Sequence, residues 1–330
     1  MTALAPTLEA FFYQRLMTQR HASPNTISAY RDTFRLLVTY LHDATGTQPS
    51  DLVFETLDAG TISAFLDHLE ADRGVGVATR NARLAAIHSL FRFAAFRHPE
   101  HSGLIARVLD IPTKRTQRTD ISYLAQGEVE ALLSAPDTTT RRGRRDHVLI
   151  AVAIQTGLRV SELVGLRRHD VTLGTGAYLT CVGKGRKQRS TPLTVETANI
   201  VEQWLNEQQD HPDAPLFPGP TGGPLTTDAV RRIVQRHATA AADTHPSIAA
   251  KHVTPHILRH TCAMRLLHAG VDRAVIALWL GHESIRTTDI YQHADLAIKE
   301  RALARTTPGQ PPTMPRYRPP DELLSFLESL

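Results

Sequence analysis

A chain of 330 residues, 42% of them hydrophobic, can bury a substantial core and is long enough for two domains, so a globular protein is expected. Its 37 Lys and Arg against 33 Asp and Glu leave a net charge of only +4; bulk charge permits nucleic-acid binding, and local clusters have to make that case. The 2 cysteines, Cys181 and Cys262, lack metal-ligand spacing, and no apolar run approaches the ~18 residues of a membrane span, which argues against a disulfide scaffold, a structural zinc or a membrane partner and for a cytoplasmic protein.

From Leu8 to about Arg97 the apolar positions recur at helical spacing: Leu8, Phe11, Phe12 and Leu16; Ile27, Tyr30, Phe34, Leu37 and Leu41; Ile62, Phe65, Leu66 and Leu69; Leu84, Ile87, Phe91 and Ala94. The pattern predicts a small bundle of four amphipathic helices, with Ser23-Pro24 starting the second and Gly46 and Gly74-Val75-Gly76 marking breaks. Thr79, Arg80, Asn81 and Arg83 give the fourth helix a polar, basic face that can lie along DNA phosphates or simply face water. Residues 1–110 are read as this first domain. The stretch from Ile111 to Thr119, IPTKRTQRT, has no periodicity, so 111–122 is read as a basic linker whose Lys114, Arg115 and Arg118 would run beside phosphates.

A second domain is read over 123–305. It opens with a short amphipathic helix from Leu124 to Leu133, followed by Arg141, Arg142, Arg144 and Arg145 and the apolar core run Val148 to Ile154. Arg144 and Arg145 are candidate DNA contacts. Arg159 follows a Gly-Leu pair at the end of that run, an awkward place for a charge unless an anion meets it, and Glu162, three residues on, can hold it from the same helix face. Ala177 to Val182 and Gln188 to Leu193 predict a β-hairpin around Gly183-Lys184-Gly185, with Arg186, Lys187 and Arg189 near its tip as further DNA candidates. Helices are expected from Thr194 to Gln208 and from Thr226 to Ala242, the latter carrying Arg231, Arg232 and Arg236 as candidate phosphate contacts.

The stretch from Thr254 to Tyr291 organises the chain. Thr254 and Pro255 read as N-cap and first helical residue, which puts His256 and Arg259 one turn apart on one face, roughly 5–6 Å between Cβ atoms, so that both can touch one phosphate. Gly270 ends that helix, a short helix runs from about Asp272 to Leu280, and Gly281 stops it just before His282. Ser284 can cap a third helix through Gln292 that carries Tyr291. His256 and His260 could instead be zinc ligands, but the intervening Ile-Leu-Arg has no glutamate to serve as a metalloprotease base. Beyond, 306–330 is a proline-rich tail ending in an apolar segment, Leu323, Leu324, Phe326, Leu327 and Leu330, too short for a helix stable on its own.

Together, TGLRVSEL from Thr156, GKGRKQRSTPL from Gly183, HILRH from His256, LGH from Leu280 and the tyrosine at 291 resemble the tyrosine recombinase, or phage-integrase, family. The resemblance covers nearly the whole chain. It implies a mainly α fold: a four-helix, SAM-like core-binding domain, then an α+β catalytic domain with a small antiparallel sheet. It also implies Arg159, Lys184, His256, Arg259, His282 and Tyr291 as the catalytic set, with Glu162 in support and Lys184 as general acid. The partners implied are double-stranded DNA with an inverted-repeat core site and further recombinase protomers, in a tetramer that exchanges C-terminal tails in the nucleoid.

Cleaving a phosphodiester needs an in-line nucleophile, positive charge on the non-bridging oxygens and a proton for the leaving hydroxyl. Tyr291 would attack to give a 3′-phosphotyrosine, while Arg159 and Arg259 clamp the oxygens as a metal pair does in many nucleases, so neither metal nor other cofactor is expected. His256 is best placed to accept the tyrosine proton and His282 to donate a hydrogen bond to the phosphate, with the division of roles between the two histidines left open by the sequence. A phage or mobile-element integrase is the preferred reading. The alternatives are a type IB topoisomerase-like enzyme, which shares the covalent step, and a DNA-binding protein with an inactive site.

Overall fold

The structure is a computed structural model that describes residues 2–116, 122–183, 188–208 and 211–281. The chain divides into two compact units, Met1–Arg118 and Thr119–Leu330.

In the first unit α1 (Leu4–Ala10) runs on into a wider, π-wound segment, Phe11–Gln19. Three longer helices follow: α2 (Pro24–Thr45), α3 (Ala59–Ala71) and α4 (Val77–Ala94). The Ser23 hydroxyl accepts from Thr26 N and the Asp58 carboxylate from Thr61 N, so each cap satisfies a backbone donor that the first helical turn leaves over. The predicted apolar faces meet in one core around Phe11, Phe34, Phe65 and Phe91, with Phe11 edge-on to Phe34 at 6.0 Å. A further helix, α5 (Ser102–Leu109), was not expected, and it buries Ile105 and Val108 in the same core.

Two expectations for this unit are corrected. The first residues of the anticipated linker are stitched to α4: Ile111 is buried, and Asn81 Nδ2 donates to Lys114 O while Lys114 N donates back to Asn81 Oδ1. Arg80 is therefore not on an open basic face. It is 5% exposed and donates to Pro112 O at 3.0 Å, because that carbonyl needs a donor where the chain folds back. Arg83 donates to Ala29 O and Thr33 Oγ1 on α2, and Lys114 pairs with Glu70, so both are engaged within the unit. Arg115 is exposed.

The second unit is built on α7 (Arg141–Thr156), whose stretch from Val148 to Ile154 is buried on every side. Against it pack α6 (Gln126–Ser134), α9 (Val195–Asn206) and α11 (Pro255–His268). A helix surrounded in this way has no polar face, which is why its apolar run is continuous. The arginine cluster does not precede this helix but forms its first turn, capped by Thr140. The short α8 (Val160–Gly165) leads to an antiparallel sheet of β1 (Val171–Thr172), β2 (Tyr178–Val182) and β3 (Gln188–Pro192) in that order. The expected hairpin is β2–β3, with Thr180 opposite Ser190 and Val182 opposite Gln188. The fold is thus mainly helical with one small antiparallel sheet. Among the described residues the remaining α-helices are α10 (Thr227–Ala241) and α12 (Arg273–Leu280). Both cysteines are buried free thiols, and among the described residues no helix is long and apolar enough to cross a membrane.

Candidate active site

The site grows from the end of α7. Gly157 closes that helix in the left-handed region, φ +63°, and a Cβ there would come within 2.5 Å of Leu280 Cδ2, so only glycine lets α12 approach this closely. Two residues on, Arg159 is extended and stands at the N-cap of α8. It and Glu162 are therefore not two steps on one helix face, as expected. Instead Glu162 folds back on the cap, its Oε2 accepting from Arg159 N at 2.7 Å and its Oε1 from Arg159 Nη1 at 3.0 Å.

Arg259 comes from the other side. Thr254 and Pro255 start α11 as predicted, and a turn later Arg259 is carried into the interior at 4% exposure. Its Nη1 donates to Gly157 O at 2.6 Å and its Nη2 to Leu280 O at 2.7 Å. Arg159 Nη2 donates to the next carbonyl, Gly281 O, at 3.1 Å. Both guanidinium groups thus meet at the C-terminal end of α12, where carbonyl oxygens favour cations.

His256 completes the group. It is exposed, yet local burial first, then Arg259 and Arg159, lower its pKa, which records both cations close by. His260 stacks edge-on against it at 4.3 Å, and burial, His256 and Arg259 push its pKa down to about 4. Both shifts favour the neutral ring, the form in which His256 can accept a proton. Glu162 keeps its charge: burial raises its pKa, but bonds from Arg189 and from the backbone and side chain of Arg159 more than offset this. The assembly offers two planar, cationic donor sets and a neutral imidazole, with Arg159 open to solvent at 35%, a composition suited to a tetrahedral oxyanion.

Of the predicted site residues, Arg159, Glu162, His256 and Arg259 are brought together. Lys184, Arg186, Lys187, His282 and Tyr291, and the tail over 306–330, lie outside the described residues. Arg189 is a correction. Rather than facing DNA, it donates from Nη1 and Nη2 to the two oxygens of Glu162 at 2.9 and 2.7 Å, because a buried carboxylate needs that fork more than solvent does. Arg145 is likewise internal, held by Asp146 and by Pro218 O. Arg144 is paired with Glu207 and Arg231 with Asp228 at the surface. Arg232 lines an open pocket of about 630 Å³ together with Arg141, Arg142 and Arg236, of which Arg141 lies over the Trp204 ring. Among the described residues no group of His, Cys, Asp and Glu is placed to hold a metal ion.

The phage integrase family model matches residues 122–297, and the phage integrase N-terminal SAM-like domain matches residues 10–98. The provisionally named integrase/recombinase y4rC of Sinorhizobium fredii is 54% identical over 328 residues, covering 99% of this chain and 98% of that protein. Tyrosine recombinase XerC of Pelobacter propionicus is 32% identical over 289 residues, 86% of this chain and 90% of its own. Among solved structures, XerH site-specific recombinase bound to palindromic difH substrate superposes with a TM-score of 0.70 at 23% identity, covering 87% of this chain and 81% of that one. With both of its domains matched and relatives spanning almost its full length, the chain belongs to the phage integrase family of tyrosine recombinases.

Proposed function

We propose that the chain is a site-specific DNA strand-transferase that cuts and rejoins duplex DNA through a 3′-phosphotyrosine on Tyr291. The observation that carries this is the meeting of Arg159 and Arg259 on the carbonyls of Gly281 and Leu280, beside His256, whose pKa burial and these two cations lower. In the forward step the Tyr291 oxygen attacks the scissile phosphorus and the bond from phosphorus to O5′ breaks. His256 takes the phenolic proton and Lys184 supplies one to the departing O5′. His282 donates a hydrogen bond to the phosphate while the two arginines neutralise its oxygens. Rejoining is the reverse attack by a 5′-hydroxyl, and because the ester bond is conserved in the phosphotyrosine, the cycle requires neither a nucleotide nor a metal ion.

The DNA substrate is a core site with inverted repeats, worked on by several protomers; XerH, of the same fold, was crystallised on a palindromic substrate. Four protomers exchanging their C-terminal tails is the assembly we favour. Movement of a phage or other mobile element is the setting that the integrase naming of the Sinorhizobium relative supports, and the work is done in the cytoplasm, on nucleoid DNA.

A duplex carrying a nick beside the cleavage point tests the reading, since loss of the short product traps the covalent adduct. An adduct formed in EDTA by the native chain, and absent with Tyr291→Phe, is the expected result. Hydrolysis that EDTA abolishes would overturn it, as would an adduct that persists in Tyr291→Phe.

A further inference from the structure

We infer that Arg189 is a positioning residue for strand cleavage: by neutralising Glu162, it leaves the charge and the open edge of the Arg159 guanidinium to the DNA phosphate. The inference rests on the reading of Arg159 as a phosphate clamp.

Glu162 is a saturated hub. Its Oε2 accepts from Arg159 N and Arg189 Nη2, both at 2.7 Å, and its Oε1 from Arg159 Nη1 at 3.0 Å and Arg189 Nη1 at 2.9 Å. Four donors fill the lone-pair sites of a carboxylate. One anion between two guanidinium groups leaves one positive charge over, and exposure decides where it acts. Arg189, with its side chain 14% exposed, commits both terminal nitrogens to Glu162 and lies under Gly281, where a Cβ would come within 2.8 Å of its Nη1. Arg159 gives Glu162 one side-chain bond, touches Gly281 O with the other terminal nitrogen, and is the more open of the two. The surplus charge is therefore presented at Arg159.

Without Arg189, the buried Glu162 would have only Arg159 to balance it. Arginine and carboxylate favour a two-bond fork in a poorly solvated place. Arg159 would turn from Gly281 O towards Glu162, and its charge would be cancelled before a phosphate arrived. A displacement of this kind, on the order of 1 Å in a reacting geometry, lowers rates ~10²-fold. Glu162 also caps α8, so the same rotation would disturb the turn that carries Arg159.

Full-length Arg189→Met, Arg189→Lys and the double variant Glu162→Gln/Arg189→Met are compared with the native chain by the rate of covalent adduct formation on the nicked duplex. One duplex carries an ordinary scissile phosphate and a second a neutral methylphosphonate there; DNA affinity and circular dichroism are measured alongside. We expect Arg189→Met to slow adduct formation about 10²-fold on the charged substrate with little change in affinity. Arg189→Lys should lose less, and the deficit of both should shrink on the methylphosphonate, which needs no neutralising charge. Removing the carboxylate's charge in the double variant should recover part of the loss. A native rate in Arg189→Met, or a deficit equal on the two substrates in whichever variant folds, overturns the inference and leaves the clamp reading intact. Absence of any adduct with the native chain overturns that reading, and the inference with it.

Discussion

Arg159 and Arg259, carried by elements far apart in the sequence, donate to the carbonyls of consecutive residues, Gly281 and Leu280. Neither contact is made by chance of surface packing, because each arginine also has a second fixed anchor: Glu162 for Arg159 and Gly157 O for Arg259. Two forks fixed in this way before substrate arrives need little reorganisation when charge develops on a phosphate. Arg259→Ala should accordingly slow adduct formation by ~10²–10³-fold while leaving most DNA affinity, since one preorganised donor set is lost and many other contacts to the backbone remain. Single-turnover cleavage together with a binding isotherm checks this; equal losses in both would mean that Arg259 merely binds.

Gly157 gives a prediction on stability. Alanine there must hold φ near +63° and push its methyl towards Leu280 Cδ2, which a Cβ would meet at 2.5 Å, and towards Cys262 Sγ at 3.1 Å. Left-handed backbone at a non-glycine residue costs roughly 1–2 kcal/mol and overpacking typically 1–3 more, so Gly157→Ala should destabilise by about 2–5 kcal/mol. Urea unfolding measures it. Leu280→Ala in the same background should return part of the overpacking share and none of the backbone share, whereas a Gly157→Ala chain as stable as the native one would mean that α12 is free to move away.

Much of the site was legible because helical spacing is a local property. Thr254-Pro255 ahead of His256 and Arg259, and Asp272 and Gly281 at the two ends of α12, are signals that need no knowledge of the rest of the chain, and each marks the helix end it predicted. What failed was the assignment of partners. Arg189 sits in a basic run, GKGRKQR, and reads as a DNA contact; its real partner, Glu162, lies 27 residues away. Arg80 and Arg145 failed in the same way, since a guanidinium that will satisfy a buried carbonyl or carboxylate looks no different in sequence from one that will meet solvent. The strand β1 is two residues long and α5 eight, too short for periodicity to register either.

Histidine protonation should shape stability in acid. The folded His260 pKa is lowered to about 4 from the ordinary 6.5, so the unfolded chain binds more protons between those values. Stability therefore rises with pH through that window and is lost as pH falls from about 6.5 towards about 4, on the order of 2–3 kcal/mol at most after allowing for partial exposure. His256 shifts in the same direction, through burial first and then Arg259 and Arg159, so Arg259 acts on both rings. Chemical denaturation at several pH values should show this slope, flattened in His260→Gln. An unchanged slope would place the acid sensitivity elsewhere.

Asp146 anchors the far end of α7 and tests whether a buried charge there is structural. Its side chain is 1% exposed and gathers Arg145 Nη2 at 2.7 Å, Arg236 Nη2 at 2.6 Å and His237 Nε2 at 3.1 Å. Burial raises its pKa, but the bonds from His237 and Arg145 lower it further, so the folded value lies below the ordinary carboxylate's. Its contribution to stability is consequently present above the unfolded pKa and lost as pH falls through the folded one. Removing the acid leaves Arg145 buried without its counter-charge and takes the carboxylate away from His237, and breaking a buried pair in this way costs about 3–5 kcal/mol. Asp146→Ala should fall in that range, and Asp146→Asn should lose less because an amide oxygen still accepts from one donor. Arg236, which donates to Asp146 Oδ2, also lines the pocket of Arg141, Arg142 and Arg232, and loses its charged partner when the acid is removed. DNA affinity at low salt should therefore fall in Asp146→Asn along with stability, and an Asp146→Asn chain that melts early but binds DNA as tightly as the native one would separate that pocket from the DNA surface.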